Sequence, residues 1–249
     1  ILLLNNDTAV TAGWLPPLLA LFENESVGIV GPKLLFPNGK LQEAGGIIWN
    51  DASGWNCGRA DEPSRPQYNY VRETDYVSGA ALMIRKSLWQ AVDGFDEAFV
   101  PAYYEDTDLC FTARQAGFKV LYQPASTVVH YEGMSNGTDL ATGQKQYQVI
   151  NQQRFYDKWL PVLTAENFAN GEHVPCARGK TKAQRAVLVI DHYVPHYDKD
   201  AGSKSTWMYL KQMVAMGYRV AFMGANFFPH QPYTQQLQQL GVEVVVGEA

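Results

Sequence analysis

The chain has 249 residues, of which 46% are apolar and 18% charged, and its 25 acidic and 20 basic side chains leave a net charge of −5. This is a globular composition with enough apolar side chains for a sizeable core, which excludes disorder as the dominant state. No Lys/Arg-rich face stands out, so a nucleic-acid partner held by phosphate neutralisation is not expected.

The unbroken apolar runs, such as Ile1–Leu4, fall far short of the roughly 18 residues needed to span a bilayer. No basic region precedes Ile1, so no signal peptide is visible. The chain does not begin with Met and opens inside a strand-like run, and it therefore reads as a fragment. Cys57, Cys110 and Cys176 are odd in number, widely spaced and form no C-x-x-C pair. They read as plain thiols in a reducing compartment, not as a disulfide framework or zinc site.

Ile1–Leu4 reads as a buried strand that delivers the polar Asn5-Asn-Asp-Thr8 loop at its C-terminal end. Trp14–Phe22 reads as a helix with its prolines in the first turn, where missing N–H groups matter little. Val27–Phe36 is extended, Pro37-Asn-Gly-Lys40 is a turn, and Leu41–Trp49 returns as a strand. Asn50–Asp75 reads as a long loop containing Trp55, and loops of that length are usually functional. Tyr76–Arg85 is expected as a strand, Ser87–Val92 as a short helix, and Glu105–Gln115 as a helix ended by Gly117. Lys119–Tyr122 and Thr127–Tyr131 are expected as two strands, and Gly143–Trp159 as a helix.

Acids outnumber bases in residues 1–165 and balance them in 185–249; between lies a polar stretch, 166–184, ending in the basic Cys176–Arg185 run. The expected organisation is two α/β domains, 1–165 and 185–249, joined by a linker at 166–184. In the second block Ala186–Ile190, Arg219–Met223 and Val242–Val246 read as strands, and Ser203–Met216 and Pro232–Leu240 as helices. That alternation predicts a parallel sheet, as in half of a Rossmann-type domain.

The densest polar constellation is Tyr103-Tyr-Glu-Asp-Thr-Asp108. Acids in a first helical turn interact well with the macrodipole, by about 0.3–1 kcal/mol each. Unit charges about 6 Å apart repel by roughly 2–3 kcal/mol at an effective dielectric near 20, so capping alone does not explain three of them. A metal, a raised pKa or a hydroxyl-bearing substrate does. Asp7 follows a strand and His130 ends one. With the Glu105–Asp108 acids they could gather around one cleft, where carboxylate and imidazole suit Mn²⁺ or Mg²⁺. Gly202-Ser-Lys-Ser-Thr206 is not a P-loop, because Ser203 separates Gly202 from Lys204 and no glycine lies five residues earlier. Ser203 is either an ordinary helix cap or, with the helix N–H groups, an anion contact.

Leu2-Leu-Leu-Asn-Asn-Asp-Thr8, Val30-Gly-Pro-Lys33, Val77-Ser-Gly-Ala-Ala-Leu-Met83, Gly94-Phe-Asp-Glu97, Tyr104-Glu-Asp-Thr-Asp-Leu109 and Val128-Val-His130 together resemble the acceptor half of a family 2 glycosyltransferase of the GT-A fold. The resemblance covers about residues 1–165 and implies a partial nucleotide-diphospho-sugar transferase domain. It places Asn5-Asn-Asp7 at the D-x-D metal motif, with Asp7 as the remaining carboxylate and His130 completing the metal shell. It makes Glu105-Asp106 the E-D motif, with Asp106 as the general base, and gives Ser78, Gly79, Asp108 and Arg154 to substrate binding. A divalent cation, Mn²⁺ or Mg²⁺, is the implied cofactor. The implied partners are a nucleotide-diphosphate sugar donor and a glycan or glycolipid acceptor, joined by inverting displacement in surface polysaccharide synthesis. The implied location is the cytoplasm, free or at the cytoplasmic membrane face.

Two departures stand out. Asn5 replaces the first Asp of D-x-D and lowers the charge of the site. The family's strands for the nucleotide base and ribose would lie before Ile1, which implies that the fragment alone is inactive. The second block resembles the start of a family 4 GT-B glycosyltransferase in Asp191-His-Tyr-Val-Pro195, Asp200-Ala-Gly-Ser-Lys204 and Met216-Gly-Tyr-Arg-Val220. The competing readings are a glycan-binding module that stacks sugars on Trp49 and Trp55, and a glycoside hydrolase. The hydrolase fits poorly, since its two carboxyls should stand about 5–9 Å apart on opposite sides of the sugar.

Overall fold

The computed structural model describes residues 1–131, 146–180 and 185–247. It divides into two units, Ile1–Pro63 with Glu73–Lys182, and Ser64–Arg72 with Ala183–Ala249. In chain order the elements to the end of the helical region are β1 (Leu2–Leu4), β2 (Thr8–Val10), α1 (Leu15–Leu21), β3 (Val27–Leu35), β4 (Leu41–Glu43), β5 (Gly46–Ile48) and β6 (Gly54–Asn56). There follow β7 (Arg72–Glu73), β8 (Ala81–Ile84), α2 (Lys86–Ala91), α3 (Glu105–Gln115), β9 (Lys119–His130), α4 (Gln146–Glu166) and α5 (Val174–Ala177).

The first unit is a mixed sheet in the order β1-β8-β3-β9-β2, with β4 added along the C-terminal part of β3. Its centre is β3, buried without interruption from Val27 to Leu34, Lys33 included. A strand covered on both faces reads as such a run instead of an alternation. β3 runs parallel to β9 and antiparallel to β8 and β4. The register against β9 shifts at Pro32/Lys33, where the proline has no N–H to give the ladder. On the partner strand the slack is taken up between Gln123 and Thr127, so the two strands expected on either side of Pro124 are one strand, β9. Behind the sheet, α3 and α4 bury Phe111, Phe155 and Trp159, with Phe111 and Phe155 ring centroids 4.9 Å apart at 79°.

Several expectations change. β1 is an edge strand with Leu2 and Leu4 exposed, not a buried one, and β2 lies within the stretch that follows the expected Asn5–Thr8 loop. The strand expected over Leu41–Trp49 is split into β4 and β5, because Gly45 turns the chain at φ +69°. Such a φ favours a residue without Cβ. The loop Asn50–Asp75 contains β6, a 3₁₀ turn at Pro66–Tyr68 and β7. The strand expected at Tyr76–Arg85 is regular only over Ala81–Ile84. The helix expected at Gly143–Trp159 runs from Gln146 to Glu166, and its expected first residues, 143–145, lie outside the described residues.

The segment expected as a linker, 166–184, is packed onto the first unit over its described part. Asn167 is buried and its side-chain amide donates to Ile48 O at 2.7 Å. The Lys180 ammonium reaches buried Asp75 at 3.1 Å, beside Arg114, which binds Asp75 and Glu166. Polar composition hid this contact because the segment is held by charge and amide bonds, not by an apolar face.

The second unit carries β10 (Ala186–Asp191), α6 (Ala201–Ala215), β11 (Arg219–Gly224), α7 (Tyr233–Gln239) and β12 (Val242–Val245). The three strands pair in parallel in the order β10-β11-β12. Their core is Val220, Phe222, Val242 and Val244 against Leu210 and Leu237. Asp200, not Ser203, caps α6: its carboxylate accepts from Ser203 N and from Ser203 Oγ, each at 2.7 Å. An acid at the helix entrance disfavours the anion contact considered for Ser203. No helix among the described residues is long and apolar enough to cross a membrane, and Cys57, Cys110 and Cys176 are free thiols.

Candidate functional site

α3 enters the site from a constrained turn. Tyr103 and Tyr104 both have φ near 72°, a left-handed backbone that bulky side chains rarely adopt. Two side chains hold it. The buried Asn151 amide donates to Phe99 O, Ala102 O and Tyr103 O at 2.7, 2.8 and 3.0 Å. The Tyr104 hydroxyl donates to Ala52 O at 2.8 Å. The next two residues, Glu105 and Asp106, are thereby presented at the start of α3. Backbone strain of this kind survives only where the surroundings fix it, and it concentrates at functional sites.

Asp106 faces the segment before β8. Its Oδ2 accepts from Gly79 N at 2.7 Å, and its Oδ1 accepts from Thr107 N at 2.7 Å and Thr107 Oγ1 at 3.2 Å. A Cβ on Gly79 would lie 3.3 Å from Asp106 Cβ, so a larger residue there would require the Asp106 side chain to give way by a few tenths of an ångström. Burial pushes the Asp106 carboxyl above the usual range against the pull of those hydrogen bonds. Burial, and then the Asp106 charge, push Glu105 up to about 7. Glu105 Oε2 is buried with no hydrogen-bond partner among the described residues. Two adjacent carboxyls in low dielectric do not readily ionise together, and the Asp106 charge accordingly keeps Glu105 protonated to higher pH.

The second arm is the pair Asp7–His130. β2 pairs with β9 in the register Thr8↔His130, and Tyr131 N donates to Asp7 O at 2.9 Å. This ladder sets His130 Nε2 3.3 Å from Asp7 Oδ1. His130 Nδ1 contacts Gln42 Oε1 at 3.1 Å. A carboxylate and an imidazole nitrogen so placed are a donor set that suits Mn²⁺ or Mg²⁺ when substrate phosphate and water fill the other positions. Among the described residues, no group of three or more His, Cys, Asp or Glu side chains forms a ready metal cage.

The backbone of residues 78–80 is bonded to Asp106 and to Asn5, two residues before Asp7. Ser78 N donates to the buried Glu43 carboxylate at 3.1 Å, Gly79 N to Asp106, and Asn5 N to Ala80 O at 2.9 Å. Glu43 follows Gln42 on β4, so adjacent residues of one short strand reach Ser78 and His130. Ser78 also braces its own turn, its Oγ accepting from Ala80 N at 3.2 Å. The Asn5 backbone takes part in this junction.

Two residues assigned to substrate binding by resemblance are engaged elsewhere. Asp108 is buried, its Oδ1 accepts from Trp159 Nε1 at 2.7 Å, and Lys158 Nζ lies 2.8 Å from Oδ1 and 2.9 Å from Oδ2. It ties α3 to α4, because it lies on the face of α3 that packs on α4 and not on the face that carries Asp106. Arg154 donates from Nη1 to Ala98 O at 2.7 Å and to Asn151 Oδ1 at 3.0 Å, bracing the amide that holds the Tyr103–Tyr104 turn. Gln42, Glu43 and Asn151 were missed by the sequence reading. The first two lie in an unremarkable three-residue strand, and Asn151 stands one residue before the Gln152–Arg154 motif.

The family model described as "Glycosyltransferase like family 2" matches residues 1–150. The chain belongs to this family. An O-antigen biosynthesis protein, RfbC, of Myxococcus xanthus is 30% identical over 145 residues, covering 56% of this chain and 11% of that protein. An N-acetylglucosaminyl-diphospho-decaprenol L-rhamnosyltransferase of Mycobacterium tuberculosis is 28% identical over 130 residues, covering 46% of this chain and 41% of its own. Among solved structures, that of GalNAc-T7 with UDP, GalNAc and Mn²⁺ aligns with a TM-score of 0.47 and 14% identity over 64% of this chain and 34% of that one. The matched part thus spans well under half the length of these curated relatives. The glycosyltransferase family includes Asp7, Glu105, Asp106 and His130 within its matched span.

Proposed function

We propose that the first unit carries the acceptor and metal side of a GT-A transferase, which moves a sugar from a nucleotide diphosphate to a glycan or glycolipid hydroxyl with inversion. What supports this reading is the backbone of residues 78–80, which bonds Asp106 of the raised Glu105–Asp106 carboxyl pair and the Asn5 backbone just before Asp7, together with the 3.3 Å Asp7–His130 pair. Asp106 takes the proton from the acceptor hydroxyl. The freed oxygen forms the new bond to the anomeric carbon, and the bond from that carbon to the diphosphate oxygen breaks with its electron pair leaving on the diphosphate. Burial raises the Asp106 carboxyl above its usual range, which makes it a stronger base than an exposed carboxylate. Glu105 lies beside it, and the Gly79 N–H donates to Asp106 and orients it. Asp7 and His130 would hold a divalent cation, which when bound supplies positive charge to the departing diphosphate.

The names of the relatives support a role in surface glycan assembly. The parallel β10-β11-β12 unit supports reading residues 185–249 as the start of a second, GT-B-like transferase domain.

The test is transfer from a panel of nucleotide-diphosphate sugars by the full-length protein, with and without EDTA. Asp106→Asn should lower turnover by about 10²–10⁴-fold while leaving metal-dependent donor binding near normal. Asp7→Asn should instead weaken Mn²⁺-dependent donor binding. Turnover that survives both Asp106→Asn and EDTA would overturn the proposal.

A further inference from the structure

We propose that Gln42 is a positioning residue that locks His130 in the tautomer whose Nε2 lone pair faces Asp7; the functional importance of this lock rests on the metal role proposed above for Asp7 and His130. Gln42 Oε1 lies 3.1 Å from His130 Nδ1. An amide oxygen only accepts, so the hydrogen of this bond sits on Nδ1. A neutral imidazole carries one N–H, which leaves Nε2 as the bare, ligating nitrogen, the one set 3.3 Å from Asp7 Oδ1.

The contact is built into the fold. Gln42 is 2% exposed. The strand that carries it is anchored by backbone bonds on both sides: Leu41 N to Asp61 O at 3.0 Å, Ala60 N to Leu41 O at 2.8 Å and Ala44 N to Cys57 O at 2.9 Å. The ring itself sits at the end of β9, paired with Thr8. Neither partner can drift, and an amide fixes the ring without adding a charge beside it. The partner of the non-ligating nitrogen commonly sets ring orientation and tautomer in metal sites, and its loss typically lowers affinity by about 10–100-fold.

The experiment uses the ¹⁵N-labelled chain at a pH where His130 is neutral. Long-range ¹H–¹⁵N spectra of the imidazoles are recorded, with the His130 signals assigned by their loss in His130→Ala. Mn²⁺ affinity is measured by electron paramagnetic resonance, and folding by thermal melting. The wild-type ring should show a protonated Nδ1. Gln42→Met should move the proton to Nε2 and weaken Mn²⁺ binding by about 10–100-fold, and Gln42→Glu, which keeps an acceptor, should restore the wild-type tautomer.

A ring that keeps its Nδ1 proton in Gln42→Met, with unchanged Mn²⁺ affinity, overturns the inference while leaving the metal site standing. Mn²⁺ binding indifferent to His130→Ala overturns the metal reading instead, and the spectra still decide the role of Gln42. If Gln42→Met does not fold, the wild-type spectrum decides: a protonated Nδ1 supports the lock and a protonated Nε2 refutes it.

Discussion

Replacing Asp108 separates a structural tether from a substrate ligand, two roles with opposite signatures. Its carboxylate is buried and accepts the Trp159 indole N–H at 2.7 Å, with the Lys158 ammonium 2.8 Å away. Asp108→Ala strands that indole N–H in a site where Trp159 is 4% exposed, which costs about 1–3 kcal/mol. Lys158 is 39% exposed and keeps its bond to Asp96 at 2.8 Å, so the lost ion pair adds only about 1 kcal/mol. The sum is about 2–4 kcal/mol. Asp108→Asn retains an acceptor for the indole and should lose only about 1 kcal/mol. Urea unfolding followed by tryptophan fluorescence reads both variants, with donor binding measured in parallel. A destabilisation of Asp108→Ala below about 0.5 kcal/mol, the range of ordinary surface changes, together with a large loss of donor binding, would refute the tether and return Asp108 to the substrate.

Three further outcomes are expected. Glu105 is raised from an ordinary 4.5 to about 7 in the folded chain, so its stabilising contribution is complete below about pH 4.5 and is lost as pH rises through 7; Glu105→Gln should gain up to about 3 kcal/mol on wild type across that window, and equal unfolding free-energy differences at pH 4.5 and 8 would contradict this. Gly79→Ala brings a methyl to 3.3 Å from Asp106 Cβ and should lower kcat about tenfold through misplacement of the carboxylate, with a melting temperature close to wild type. Asn151→Ala removes the donor to three carbonyls around Tyr103 and should lower both stability, by about 1–3 kcal/mol, and kcat; an unchanged kcat in the folded variant would detach the Tyr103–Tyr104 turn from catalysis.

Elements that bury a repeating apolar pattern were legible from sequence. α3 begins and ends where its acids and Gly117 place it, β3 follows its apolar run, and β10, β11 and β12 pair in parallel as their alternation with helices implies. What failed to show was structure without an apolar signature. β4 and β5 are separated by one glycine in a left-handed conformation inside a uniformly buried stretch, where periodicity has no contrast to report. The segment 166–180 is fastened by Asn167, Glu166 and Lys180 to groups more than fifty residues away, and composition alone describes it as solvent-exposed linker. Hydrophobic patterning records what faces a core; it is silent on polar side chains that find buried partners.

The same limit governs the site. Asp7, Glu105, Asp106 and His130 stand at element ends; Asp7 pairs with His130, and residues 78–80 bond Asp106 and the Asn5 backbone. Asp108 lies two residues after Asp106 in the same acidic run, yet a helix turns about 100° per residue, so these two carboxylates point to different sides. One faces Gly79 and the other Trp159. Charge density along the sequence therefore overstates the site by one acid and misses Glu43 and Gln42, which reach it from another strand. A cluster of carboxylates in a first helical turn should be divided by angular position before any member is given chemistry: the one directed at strand ends and glycine backbone is available to substrate, and the one directed at a neighbouring helix is committed to holding it.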